Sequence, residues 1–119
     1  MTHDLWQRYA RIWSLDAADR AAEMAACLAP EVTYADPNVS LAGLDAFSQY
    51  MAGFQRSFPG HSFRIRAVRA HHGRSVARWD LVDGKGAVAS PGISFALCDD
   101  DGRFRSLHGF FGDVEELLR

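Results

Sequence analysis

Cysteine is scarce in this 119-residue chain, long apolar runs are missing, and neither sign of charge prevails. Only Cys27 and Cys98 are present, far apart and without metal-ligand spacing. That argues against a disulfide framework and a zinc site, and points to two reduced thiols in a cytoplasmic protein. No apolar stretch approaches the roughly 18 residues that span a bilayer, so no membrane is expected. Residues 1–13 mix polar and apolar side chains without a small-residue cleavage pattern, so no signal peptide is expected either. A formal net charge of −2 gives no general attraction to phosphate backbones, which excludes nucleic acid as the expected partner. Repeats, low-complexity segments and long linkers are also missing. There is no glycine-rich phosphate loop and no HExxH, and the Ser and Cys residues lie in no nucleophile motif. Asp99-Asp100-Asp101-Gly102 lacks the ligand spacing of a calcium loop and reads as a charged turn. No metal and no cofactor are expected.

What is present suits a folded domain. Hydrophobic residues make up 48% and charged residues 24% of the chain. Residues 1–119 read as one domain able to bury roughly two-thirds of its unfolded surface. Trp6, Tyr9, Ala10 and Trp13 recur at helical spacing. Asp16 can cap a second helix with a narrow stripe of Ala18, Ala21, Ala22, Ala25 and Leu28, ended by Pro30. Val32 to Asp36 reads as a short strand with Val32, Tyr34 and Asp36 on one face, followed by a loop through Asn38 and Gly43. Leu44, Phe47, Met51, Phe54 and Phe58 follow a three-and-four rhythm in a third helix closed by Pro59-Gly60.

From Ser62 the period becomes two. Phe63, Ile65 and Ala67 alternate with Arg64, Arg66 and Val68. After a turn at His72-Gly73-Arg74, Ala77, Trp79 and Leu81 alternate with Arg78 and Asp80. Ala87 to Leu97 and Phe104 to Phe111 are the expected last strands. Helices first and a meander afterwards predict an α+β fold, a curved antiparallel sheet wrapped on N-terminal helices. In the longest strand Ile93, Phe95 and Leu97 face one way and Gly92, Ser94 and Ala96 the other. Neither set suits water, so the large apolar set is expected to meet a second copy in a homodimer, unless the C-terminal segment covers it.

Four landmarks carry a family resemblance: the helix segment QRY, then APEVTYADP, GLDAFSQYMAGF and DDDGRFRSLHGFF. In order and spacing the chain resembles the ketosteroid isomerase and SnoaL-like polyketide cyclase branch of the nuclear transport factor 2-like superfamily. The resemblance implies a cone-shaped barrel with a hydrophobic pocket between sheet and helices, frequent homodimers, and acid/base chemistry on a steroid- or polyketide-like carbonyl compound. It places Asp36 where the isomerases keep their general base and Tyr9 where they keep a phenolic oxyanion donor. Ser94 falls where those enzymes keep a protonated aspartic acid. A serine hydroxyl is a weaker acid, which implies a slower or different proton-transfer enzyme. Trp79 and Phe111 take pocket-wall positions, and Tyr34, Trp13, Met51 and Phe54 complete the expected substrate-binding set.

Asp before Pro also starts turns, so Asp36 equally fits a cap at the strand exit. The functional alternative is a non-catalytic dimeric module that binds a hydrophobic ligand. An epoxide-hydrolase arrangement would need an Asp–Arg–Asp set. Arg78 and Asp80 share a face, but alternation sets that face opposite Trp79.

Overall fold

Helix α1 (Thr2–Ile12) forms where the sequence repeats apolar residues every three or four positions, and it buries Trp6, Tyr9, Ala10 and Ile12. The computed structural model describes residues 2–113 and Glu115. The Trp6 indole N–H donates to Ser75 Oγ at 2.9 Å in the core, so this large ring is buried without an orphaned donor.

Helix α2 (Ala17–Cys27) starts at Asp16, whose side chain accepts the Asp19 N–H. Its buried face differs from the expected alanine stripe: Ala18, Ala21, Ala22 and Ala25 are exposed, and Arg20, Met24 and Cys27 are buried. Arg20 decides this rotation. Its guanidinium donates to Ser48 Oγ and to the Leu15 carbonyl, at 2.9 and 3.0 Å, tying α2 to its neighbours. Residue for residue an alanine offers less apolar area than Met24 or Cys27, so the larger side chains take the interior.

Strand β1 (Leu28–Asp36) begins directly after α2, four residues earlier than the sequence suggests. Pro30 is part of it, within a stretch where pairing jumps from Leu28↔Phe104 to Thr33↔Ser106. A proline fits a strand at such an irregularity, because no ladder donor is required of it. The expected loop after Asp36 is instead a short strand, β2 (Val39–Ala42), folded back on β1. Helix α3 (Leu44–Ser57) follows, then β3 (Ser62–His71), β4 (Arg74–Val82), β5 (Val88–Cys98) and β6 (Phe104–Phe111).

The strand order is β2-β1-β6-β5-β4-β3 in one open sheet. It is mixed rather than wholly antiparallel: β1 and β6 run parallel, and every other neighbouring pair runs antiparallel. The α+β class is as expected. Alternation on β3 breaks at a bulge between Ile65 and Ala67, which turns Ala67 outward and brings Val68 against the core opposite Ala77. The three helices lie on one face of the sheet, with α1 against β3 and α3 against β1 and β2. Among the described residues no helix is long and apolar enough to cross a membrane.

The outer face carries Ile93, Phe95 and Leu97 as the alternation requires. Phe95 is 38% exposed, and Phe110, paired across from Ile93, is 59% exposed. His108 stacks obliquely on Phe95, with ring centroids 5.9 Å apart. The C-terminal tail offered as an alternative cover lies largely outside the described residues.

Candidate functional site

Between the helices and the inner face of the sheet lies a cavity of about 610 Å³, within the range usual for small-molecule sites. Aromatic packing shapes its walls. Trp13 stands edge-on to Phe54 and Phe63, each at 5.5 Å, and Phe54 stacks on Phe63 at 5.0 Å. Trp79 closes another side, edge-on to Phe63 at 5.2 Å and to Phe111 at 6.4 Å. These faces suit a flat, apolar guest.

One end of the cavity is polar, and strand pairing builds it. Tyr34 and Asp36 share the inward face of β1, two residues apart. Ser94 on β5 pairs with Gly109 on β6, and His108, the residue before Gly109, pairs with Ala35 on β1. Asp36, Gly109 and Ser94 therefore lie side by side across three strands.

The Asp36 carboxylate collects three donors. Its Oδ2 accepts the Tyr34 hydroxyl at 2.7 Å and the Tyr50 hydroxyl at 2.8 Å. Its Oδ1 accepts the Asn38 backbone N–H at 2.8 Å. Oδ1 thus caps the turn at the strand exit, while Oδ2 is held by the two phenols.

Burial pushes the Tyr34 phenol far above its ordinary value, with Tyr9 and Asp36 adding to the shift. Tyr50 is pushed up to about 12, by burial first and then by its hydrogen bond to Asp36 and that group's charge. Both phenols keep their protons near neutral pH and donate them to Asp36. Burial also raises the Tyr9 phenol well above the usual range. The Trp13 indole partly offsets this, and the Asp36 charge adds to it.

Trp79 donates its indole N–H to Ser94 Oγ at 3.0 Å, which leaves the serine proton for another acceptor. The indole can lie across β5 because Gly92 is beneath it. A Cβ there would meet the ring at 2.1 Å.

Of the residues singled out from sequence, Asp36, Tyr9, Ser94, Trp79, Phe111, Tyr34, Trp13 and Phe54 all line this cavity. Met51 does not. It is fully buried in the core and is not part of the cavity wall, because it points one step round the helix from Phe54. Arg78 and Asp80 bind Asp113 and Arg66 instead, and neither lines the cavity, so an Asp–Arg–Asp set around a water is not formed by them.

Tyr50 and Asn38 are the site residues that sequence reasoning missed. A faint signal for Tyr50 existed: it stands three residues after Phe47 and four before Phe54, on the flank of the same apolar stripe. Among the described residues no three His, Cys, Asp or Glu side chains gather where they could hold a metal ion.

Residues 6–107 match the protein family described as a SnoaL-like domain. Among curated proteins nothing matches. A candidate isomerase of the SnoaL-like family from Agrobacterium tumefaciens is 20% identical and superposes with a TM-score of 0.87, covering 95% of this chain and 100% of that one. A candidate polyketide cyclase from Sinorhizobium meliloti, 12% identical, superposes with a TM-score of 0.71 over 89% of this chain and 93% of that one. A candidate ketosteroid isomerase from Kribbella flavida, 17% identical, gives a TM-score of 0.65 over 93% and 77% of the two chains. At these identities the structural likeness concerns the fold.

Proposed function

We propose, since this chain belongs to the SnoaL-like domain family of the nuclear transport factor 2-like superfamily, that it is an isomerase- or cyclase-type enzyme. It needs no cofactor in this reading, and it moves protons on a hydrophobic carbonyl compound such as a steroid or polyketide. The observation that carries the reading is the Asp36 carboxylate in the wall of a cavity rich in aromatic side chains. An ionised carboxylate offers about four lone-pair positions. Tyr34, Tyr50 and the Asn38 N–H occupy three of them. The remaining one, on Oδ1, can take a proton from a carbon beside a carbonyl and return it to another carbon.

The enolate oxygen formed in that step needs donors. Tyr9 keeps its proton and lines the same cavity, and Ser94 has its hydroxyl proton free while Trp79 holds its oxygen. Ser94 in place of an acid weakens that support and favours a second reading, a non-catalytic binding module. Deuterium exchange separates the two. In D₂O the wild-type protein is expected to exchange the hydrogens beside the carbonyl of 2-tetralone, an enolisable bicyclic ketone, faster than buffer alone. Binding of the ketone with exchange no faster than in buffer overturns the catalytic reading in favour of the module.

A homodimer formed through the outer sheet face is part of the same proposal. Phe95 and Phe110 are large apolar side chains left substantially exposed there, beside Ile93 and Leu97. Wild-type protein is expected to sediment at twice the 13.2 kDa chain mass, and Phe95→Glu at the chain mass, because a buried unpaired carboxylate opposes association. A wild type that sediments as a monomer at micromolar concentration removes the dimer. We place the protein in the cytoplasm, where Cys27 and Cys98, both unbonded, stay reduced.

A further inference from the structure

The glycines of the inner sheet face divide by what holds them there. Gly92 is required by packing, because any side chain would collide with the Trp79 ring. Gly109 is required by nothing of that kind. Its φ lies outside the left-handed region, so its backbone does not call for glycine. A Cβ built on it meets Asp36 Cβ at 3.5 Å, Ser94 Oγ at 3.6 Å and the Tyr34 hydroxyl at 3.7 Å, all ordinary van der Waals contacts. An alanine would fit. Glycine instead leaves a methyl-sized notch between the Ser94 and Tyr34 hydroxyls and the Asp36 methylene, on the cavity wall.

The two hydroxyls at the notch differ in what they offer. Tyr34 has committed its proton to Asp36, so its oxygen is an acceptor toward the cavity. Asp36 turns its Cβ methylene to the notch and adds apolar contact there. Ser94 accepts from Trp79 and has one proton to give. One acceptor, the Tyr34 oxygen, and one donor, the Ser94 hydroxyl, match a ligand hydroxyl, which both donates and accepts. A ketone oxygen can only accept, and would use Ser94 alone.

We propose that Gly109 is a specificity-determining residue whose notch receives the hydroxyl of a flat, apolar ligand, so that this end of the cavity favours an enol or phenol over its keto or deoxy counterpart. The inference rests on the proposed ligand cavity, but it does not require that the protein be catalytic. For a proton-transfer enzyme it adds a consequence. The site is matched to the enol that forms when Asp36 takes a proton from carbon and hands that same proton to the carbonyl oxygen, which returns the carboxylate to its starting state. Atoms balance, because that tautomer differs from the ketone only in where one hydrogen sits.

Fluorescence titration of the wild-type protein with 2-naphthol and with naphthalene tests this directly. The two probes share a flat bicyclic body and differ only in the hydroxyl. Wild type is expected to bind 2-naphthol about tenfold or more tightly than naphthalene, the return from one or two hydrogen bonds. Gly109→Ala is expected to erase that preference while keeping naphthalene binding within about threefold, and to melt no lower than wild type, since the methyl meets only ordinary contacts and shortens the unfolded chain's freedom. Equal affinity of wild type for both probes overturns the proposal without reference to any variant. Unchanged preference in a folded Gly109→Ala protein overturns it as well. Failure of wild type to bind either probe overturns the ligand cavity itself, and the proposal with it. Wild-type preference for 2-naphthol without exchange on 2-tetralone supports the notch and removes only the catalytic reading.

Discussion

Asp36→Asn slows deuterium exchange on 2-tetralone by about 10²–10⁴-fold, the usual contribution of a positioned acid/base group. The substitution is close to isosteric, and its structural cost follows from the donors around it. The amide oxygen can stand where Oδ2 does and keep both phenols, Tyr34 and Tyr50. The amide nitrogen then replaces Oδ1 and faces the Asn38 N–H, donor against donor. One lost hydrogen bond at the mouth of a turn costs about 1 kcal/mol, so the variant melts a few degrees below wild type and still binds the aromatic probes. That split between binding and turnover is the signature of a base. Exchange at the wild-type rate in a folded Asp36→Asn protein would show that the proton moves through another group, and the assignment of Asp36 would fall.

Phe47→Ala is expected to have the largest effect on stability. Phe47 is fully buried, stacks on Tyr34 with centroids 4.5 Å apart and planes 29° apart, and meets Trp13 edge-on at 5.8 Å. Removing a ring from such a position costs about 3–5 kcal/mol, because the lost burial is compounded by a cavity that rigid aromatic neighbours cannot close. At about 4 °C per kcal/mol for a domain of this size, the melting temperature falls roughly 12–20 °C. Phe58→Ala, at a ring 44% exposed near the cavity mouth, is the contrast and shifts stability by about 1 kcal/mol or less. Phe47 also backs the Tyr34 ring that reaches Asp36, so any folded fraction of Phe47→Ala exchanges 2-tetralone more slowly. Melting within two or three degrees of wild type would mean that the aromatic core is not packed as described.

Both predictions join the core to the site through the same few rings. Trp13, Phe47 and Tyr34 are packed against one another, and Tyr34 ends in the hydroxyl that holds Asp36. The polar end of the cavity is thereby positioned by side chains whose own rotamers the core restricts, which is what a site working by geometry needs.

Local periodicity made much of this legible in the sequence. The buried face of α1, the bounds of β6, the inward set of β4 and the apolar outer set of β5 each follow from a three-and-four or two-residue repeat, because side-chain direction within one element is dictated by its own backbone. The same rule put Tyr34 and Asp36 on one face of β1 and Ser94 on the inward face of β5.

What only the tertiary structure decided lies between elements. The Tyr50 hydroxyl reaches Asp36 across fourteen residues of sequence, the Trp79 indole reaches Ser94 across fifteen, and both depend on how α3 and β5 are set against β1 and β4. The bulge in β3 exchanged Ala67 for Val68, the Arg20 guanidinium was buried in α2 where the alanines were expected, and the seating of α3 gave Phe54 to the cavity and Met51 to the core. Each of these was settled by competition for one shared interior, where a few side chains must fill the space at crystal-like density and satisfy their polar atoms together. A repeat within one segment states which residues share a face; which neighbour that face meets is fixed only when all the segments pack at once.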